Sequence, residues 1–309
     1  MNSTSATPVA TMPGTIPKAG ARRGAAPIHP RARPREGRGM LTAGRALVLA
    51  GAVVMLLPFW FMFVFATHTN SEILSMPPPL WFGTSLGDNL RDLLERLPTF
   101  WQNLGWSFYV AIATTALNLF FCSLAGHAFA LLDFAGKERF YAAVMTTMLL
   151  PAFLFMVPTA LTMSWLGWTN EERSLIVPGA CSALGIFLMR QYIEAAIPRD
   201  LVEAARLDGC SEFAIWWRVV LPLLGPALGT LALITFIGSW NNFIGPLVVL
   251  RDMDRYTLPL ALRSLQGSGQ TPWGALCAGA AIAVLPLLVM FVFASRSLIA
   301  GLTAGAVKH

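Results

Sequence analysis

Beyond residue 45 the chain alternates between long runs without a charged side chain and short segments that gather the charges. The runs are 46–66, 107–132, 140–168, 174–189, 219–250 and 271–295, and His127 is the one imidazole within them. A membrane-crossing helix needs roughly 20 apolar residues at 1.5 Å rise each. Five of the runs reach that length. The fourth is shorter, and snorkelling of Arg190 continues it to residue 192. The pattern predicts an all-α integral membrane protein with six transmembrane helices, at about 46–66, 107–132, 140–168, 174–192, 219–250 and 271–296. Prolines 58, 151, 158, 178, 246 and 286 fall in or at the ends of these spans, where neighbouring helices can satisfy the carbonyls they free.

Composition supports this class. The 309 residues are 55% hydrophobic and 12% charged, with a mean hydropathy of +0.60, whereas soluble domains carry about 25% charged residues. The net charge of +6 is concentrated at the start: Lys18, Arg22, Arg23, Arg31, Arg33, Arg35, Arg38 and Arg45 face a single acid, Glu36. Residues 1–44, rich in Pro, Gly, Ala and Arg, are expected to be a disordered basic arm, with 45–309 as the transmembrane domain. Such an arm can bind nucleic acid. Here it abuts an apolar run, so membrane lipid head groups are the simpler partner and no nucleic acid is expected. The run at 46–66 exceeds a signal-peptide core and is read as an uncleaved first span. With both termini in the cytoplasm, sixteen of the 22 basic residues lie inside, in keeping with the positive-inside rule; the arm supplies most of that bias.

The segments between spans carry the candidate chemistry. In the long outer loop, Leu90, Leu93, Leu94 and Leu97 recur at helical spacing, which predicts an amphipathic helix lying on the membrane surface or facing a partner. Gly83-Thr84-Ser85-Leu86-Gly87 matches the hydrolase pattern GxSxG, but it follows three prolines and lacks the strand–turn–helix setting that pattern requires. No phosphate-binding GxxxxGK[ST] and no HExxH occurs. Cys122, Cys181, Cys210 and Cys277 have no metal or disulfide spacing. No catalytic residue, metal site or cofactor is assigned to the chain. Within the spans, Trp240, Asn241 and Asn242 can meet a polar solute. For these asparagines, as for Asn118 and His127, an interhelical hydrogen bond is an equal alternative.

The loop 193–222 is longer than a helix connection needs. Pro198 suits a first helical turn, Asp200 and Glu203 suit its dipole, and Gly209 sits where a left-handed closing residue is required. Leu201, Ala204, Ala205 and Asp208 share one face, Glu203 and Arg206 can pair, and Ser211 can cap a second helix. An interfacial helix and a docking knob for a soluble partner both satisfy this pattern.

Glu203-Ala204-Ala205, three residues, Gly209, nine residues, then Val219-x-Leu221-Pro222 resembles the EAA-x3-G-x9-I-x-L-P motif of permease subunits in binding-protein-dependent ABC importers. Valine for isoleucine is the one departure. The segments SWNNFIGPLVVL, RYTLPLALRSLQG and GLTAGAVK are similar to the maltose-type, MalG-like carbohydrate branch. The resemblance implies the type I importer permease fold in a bacterial cytoplasmic (inner) membrane. It also implies a second permease subunit, two cytoplasmic ATPase subunits and an extracytoplasmic solute-binding protein. It makes Glu203, Ala204, Ala205, Gly209, Leu221 and Pro222 the ATPase-coupling positions, to which the helix reading adds Asp208. Residues 301–308 would reach between the ATPase subunits. A solitary ion-coupled or facilitative carrier is the alternative; it calls for an intramembrane charge relay or an internal repeat, and the sequence offers neither.

Overall fold

The computed structural model describes residues 36–267 and 270–306, with side chains described over 44–151, 153–267 and 270–291. The disordered arm expected over 1–44 and the tail contact expected over 301–308 fall largely outside that range. Contacts divide the chain into two units, 1–55 and 56–309. In the first unit the described residues are helical, and their large apolar side chains, from Leu47 to Met55, are exposed.

The helices are α1 (Glu36–Phe65), the single turn α2 (Asn70–Ile73), α3 (Leu86–Arg96) and the long α4 (Phe100–Leu131). There follow α5 (Lys137–Thr147), α6 (Met156–Trp165), α7 (Arg173–Gly179) and α8 (Ala183–Ala196). Next come α9 (Arg199–Leu207), α10 (Glu212–Ile215), α11 (Leu221–Leu223) and α12 (Gly225–Trp240). The last are α13 (Ile244–Val249), α14 (Leu258–Ser264) and α15 (Trp273–Ala306). There is no strand among the described residues. Among the described residues, four helical segments are long and apolar enough to cross a bilayer: Gly44–Phe65, Phe100–Leu131, Arg173–Ala196 and Trp273–Phe291. A fifth exists if Glu212–Leu223 and Gly225–Trp240, bent by 84°, act together.

Three of the six predicted spans are therefore interrupted. The third run breaks at Met148–Pro151 and resumes through a 3-10 turn, Ala152–Phe155, before α6. Pro151 has no N–H to continue α5. The fifth run leaves its helix at Asn241 and re-forms only as the six-residue α13. The fourth is longer than expected, Arg173–Ala196, and its helix is interrupted over residues 180–182, just after Pro178 and Gly179. Arg190 does not snorkel to water. Its side chain is largely buried, bonded to Glu194 (2.8 Å) and held 3.9 Å over the Tyr141 ring, so charge and quadrupole satisfy it in place.

Two large apolar clusters, with a smaller third one of Met163, Val249, Leu250 and Leu260, organise the larger unit. One joins α4 and α8 to the segment from α9 to α12, through Cys122, Met189, Ile193, Val202, Ile215 and Leu224 among others. The other joins α3, α4, α12, α14 and α15 through Leu93, Leu97, Phe100, Trp240, Leu258 and Ala275. The amphipathic α3 thus packs against its own chain. Its leucines at 93 and 97 are fully buried in the second cluster, and only the opposite side of the helix is open.

Buried polar side chains tie the helix breaks. Asn118 Nδ2 donates to the Gly179 carbonyl (2.9 Å) at the α7–α8 bend, and its Oδ1 accepts from Thr235 (3.2 Å). Asn103 Nδ2 donates to the carbonyls of Met253 and Tyr256, and Ser107 Oγ accepts from the Leu258 N–H. For Asn118, the interhelical hydrogen bond is what forms.

At Gly126 the α4 backbone comes so close to α8 that a Cβ would lie 2.5 Å from Met189 Cβ and 3.0 Å from the Arg190 amide. Gly126→Ala is expected to destabilise the fold by about 1–3 kcal/mol through overpacking. Thermal unfolding of the detergent-solubilised protein checks this, and an unchanged midpoint contradicts the α4–α8 contact.

Candidate functional site

The loop between α8 and α12 forms a separate feature at one end of the α4–α8 core. Extended backbone at Ile197 and Pro198 ends α8 and starts α9 (φ −63°, ψ 132° at Pro198). Asp200 lies in the first turn of α9 and Arg206 in the last, each favourable to the helix dipole. Val202 is buried in the core, and Ala205 packs half-buried beside it. Leu201, Glu203, Ala204, Leu207 and Asp208 are exposed. Ala205 therefore belongs to the seam under the helix more than to its outer face. Leu207, not singled out by the sequence pattern, is the most exposed large apolar residue of the helix at 90% exposure.

The helix closes as a Schellman motif. The Cys210 N–H donates to the Ala205 carbonyl (3.1 Å) and the Gly209 N–H to that of Arg206 (3.0 Å), with Gly209 at φ +80°. A Cβ there would meet no atom within 4 Å, so the backbone conformation alone calls for glycine. Ser211 caps α10, its hydroxyl accepting from the Ala214 N–H (3.3 Å). A π turn, Trp216–Val220, comes next, in which the Leu221 N–H reaches back to the Trp216 carbonyl. Pro222 has no N–H to extend that pattern. The chain bends at Leu224 and re-enters helix at α12, with Pro226 in its first turn. Leu221 is half-buried and Pro222 exposed at this turning point.

The local Glu203–Arg206 pair does not form. Arg206 instead donates to both carboxylate oxygens of Glu212 (Nε–Oε1 2.7 Å, Nη2–Oε2 3.3 Å) and to the Leu131 carbonyl at the end of α4 (3.2 Å). The bidentate fork binds α9, α10 and α4 together, a geometry for which a guanidinium is suited and an ammonium is not. The guanidinium holds the Glu212 carboxyl below its ordinary range, and Glu212 raises Arg206 in return. His127 approaches the same carboxylate from α4 at 3.7 Å.

The proposed solute-facing residues separate. Trp240 is buried: its ring stacks on Phe236 and meets Phe108 edge-on, and its N–H donates to the Ala283 carbonyl (3.2 Å). With both faces and its donor occupied it joins α12 to α15 and is out of a solute's reach. Asn241 and Asn242 are exposed. Asn241 turns back to the Ile237 carbonyl, whereas Asn242 accepts the Gly245 N–H and lines a cavity of about 260 Å³. Phe153, Phe155, Met156 and Thr159 form its opposite wall. Sequence reasoning missed these residues because it read 140–168 as one continuous helix; Pro151 and Pro158 were the available signal. A wider cavity of about 620 Å³ between α4, α12 and α15 has a wholly apolar lining apart from Thr115.

Residues 123–298 match the family model described as "Binding-protein-dependent transport system inner membrane component". The chain is 33% identical to the arabinooligosaccharides transport system permease protein AraQ of Halalkalibacterium halodurans, over 87% of this chain and 96% of the relative. It is 31% identical to the lactose transport system permease protein LacG of Rhizobium radiobacter, covering 83% and 92%. It is 30% identical to the sn-glycerol-3-phosphate transport system permease protein UgpE of Pectobacterium atrosepticum, covering 86% and 96%. A crystal structure of a bacterial ABC transporter involved in the import of the acidic polysaccharide alginate contains a chain of the same fold. Its TM-score is 0.74 at 21% identity, over 87% of this chain and all of that one.

Because the Glu212 carboxyl is held below its ordinary value of 4.5, its contribution is complete above that pH. It is lost as pH falls through the lower folded value. Both partners are partly exposed, so the effect is expected to be about 0.2–1 kcal/mol. Hydrogen-exchange protection of α9, corrected for intrinsic rates, should fall on acidification in the native chain. In Glu212→Gln it should start lower and lack this step; equal protection in both chains contradicts the clamp.

Proposed function

Because the chain belongs to the family of inner membrane components of binding-protein-dependent transport systems, we propose that it is one permease subunit of an ATP-driven importer for a neutral carbohydrate. It crosses the bacterial cytoplasmic membrane six times, with both termini inside. The third crossing is assembled from α5, the 3-10 turn and α6, and the fifth from α12 with the short α13 beyond it. A second, different permease subunit completes the pore, two separate ATPase subunits hydrolyse ATP, and an extracytoplasmic binding protein delivers the solute. The chain has no catalytic role and needs no cofactor of its own.

The observation that carries this reading is α9: a short helix with an outward face of Leu201, Glu203, Ala204, Leu207 and Asp208, fastened beneath by Val202 and Arg206. Exposed leucines flanked by acidic side chains offer a soluble partner both apolar and charged contact, and a fastened base passes force into α4 and α8. Glu203, Ala204 and Asp208 make the contact. Gly209, Leu221 and Pro222 set the geometry on either side, and Ala205 seats the helix.

Three permeases of similar sequence carry arabinooligosaccharides, lactose or sn-glycerol-3-phosphate in their names. The cavity beside Asn242 pairs one amide and the Thr159 hydroxyl with two phenylalanine rings and has no charged lining residue. Amide and hydroxyl groups can bond sugar hydroxyls, while the aromatic faces cover the apolar side of the ring. An anionic solute would find no cation there.

Gly209→Val forces a β-branched residue into the left-handed region at a cost of about 1–2 kcal/mol, and so opens the Schellman closure without touching the core. The variant is expected to insert and to copurify with the second permease. Solute-dependent uptake should fall by roughly tenfold, as a coupling loss of about 1.4 kcal/mol implies, while ATP hydrolysis no longer responds to solute. Uptake at the native rate would sink the coupling assignment.

A further inference from the structure

The segment between α2 and α3 contains no charged residue from Ile73 to Gly87, and it presents a run of exposed apolar side chains. Met76 is 94% and Trp81 74% exposed, and Leu74, Leu80 and Phe82 are each more than half exposed. None of these side chains joins either cluster that holds α3 and the long helices.

The height of this segment along α1 decides what covers it. Trp60 Nε1 donates to the Leu80 carbonyl (3.1 Å), and its ring meets Trp81 (5.9 Å) and Phe82 (5.2 Å) edge-on. The membrane-length part of α1 ends at Phe65, so Trp60 lies about 7.5 Å inside that end at 1.5 Å per residue. The chain then climbs out. Gly83 N–H donates to Thr67 Oγ1 (2.8 Å) and Ser85 N–H to the Thr67 carbonyl (2.9 Å), beyond the end of the helix. Residues 80–82 therefore lie beside the last turns of α1, whose Leu56, Leu57 and Phe59 are also exposed. Tryptophan with its N–H bonded and its ring in an apolar setting is the residue type that concentrates at membrane–water interfaces.

We propose that residues 74–82 form an apolar flap immersed in the interface of the bilayer, with lipid as the partner that covers Met76, Leu80, Trp81 and Phe82. That α1 spans the membrane rests on the functional reading above, but the depth of the flap is measured without any transport. The flap fixes the end of α1 and the start of α3 relative to the bilayer surface. It also explains how a loop with a Pro77-Pro78-Pro79 core holds its place with few polar contacts. Without a charge it offers a protein partner no complementary electrostatic surface, and lipid requires none.

The test is tryptophan quenching in the assembled transporter, reconstituted into phosphatidylethanolamine–phosphatidylglycerol nanodiscs with acyl chains brominated near the head group or near the methyl end. Trp81→Phe keeps an aromatic ring against Trp60, and the native-minus-variant difference isolates Trp81. Bromine near the head group should remove most of that difference signal, deep bromine much less, and aqueous iodide little. Met76→Trp, which adds a reporter outside the aromatic cluster, should follow the same order. Quenching by iodide but not by bromolipid would place the flap in water and overturn the proposal. Protection from both would mean a protein partner covers it and would overturn the proposal equally.

Discussion

Backbone groups released where a helix breaks inside lipid find no water, so they must be bonded within the molecule. In this chain asparagines provide those bonds. Asn118 takes the carbonyl freed at the α7–α8 bend and joins it to α12 through Thr235. At the break of the fifth run Asn241 donates to the Ile237 carbonyl and Asn242 accepts the Gly245 N–H. Outside the spans, in the charged loop after α13, Asn103 holds the carbonyls of Met253 and Tyr256, and Asn170 accepts the N–H groups of Arg251 and Asp252. A chain that breaks its membrane runs can therefore keep the pieces in fixed relation. The breaks have a use: the interrupted third and fifth runs are the two walls of the cavity beside Asn242.

The opposite end follows a different rule. There α9 turns Glu203, Asp208 and two leucines outward, and its stability comes from underneath. Val202 enters the α4–α8 core, Arg206 reaches across to Glu212 and to the last turn of α4, and Gly209 closes the helix. A displacement of α9 is thereby a displacement of α4 and α8, the two most closely packed long elements, whose backbones nearly touch at Gly126. Such stiffness is what a permease needs if ATP is hydrolysed on another chain. A loosely tethered knob would absorb the motion that it is meant to transmit.

Much of this was legible in the sequence. The uncharged runs revealed the helical membrane class, and the spacing from Glu203 to Pro222 revealed both the family and the closing glycine. The Ser211 cap was equally plain, because capping is a local matter of backbone donors. What sequence reasoning missed depends on non-local partners. The pairing of Arg206 with Glu212, six residues on, competes with Glu203, which is only three residues away. Trp240 beside two asparagines reads as a sugar platform until Phe108, Phe236 and Ala283 surround it. The leucines of α3 have the periodicity of an interfacial helix, and only the presence of α15 sends Leu93 and Leu97 into the protein. Prolines at 151 and 178 signal breaks, but not whether a neighbouring side chain repairs them.

The central claim is that the outward face of α9 is the contact with a separate ATPase. The most direct measurement replaces Leu207, the most exposed large apolar residue of that helix, with a photoreactive benzoylphenylalanine in the tagged chain and irradiates native membranes. A covalent adduct with an ATPase subunit, identified by mass spectrometry, is expected. Adducts with lipid alone, in membranes where that ATPase is present, would mean that α9 lies on the bilayer surface and that the coupling assignment is wrong.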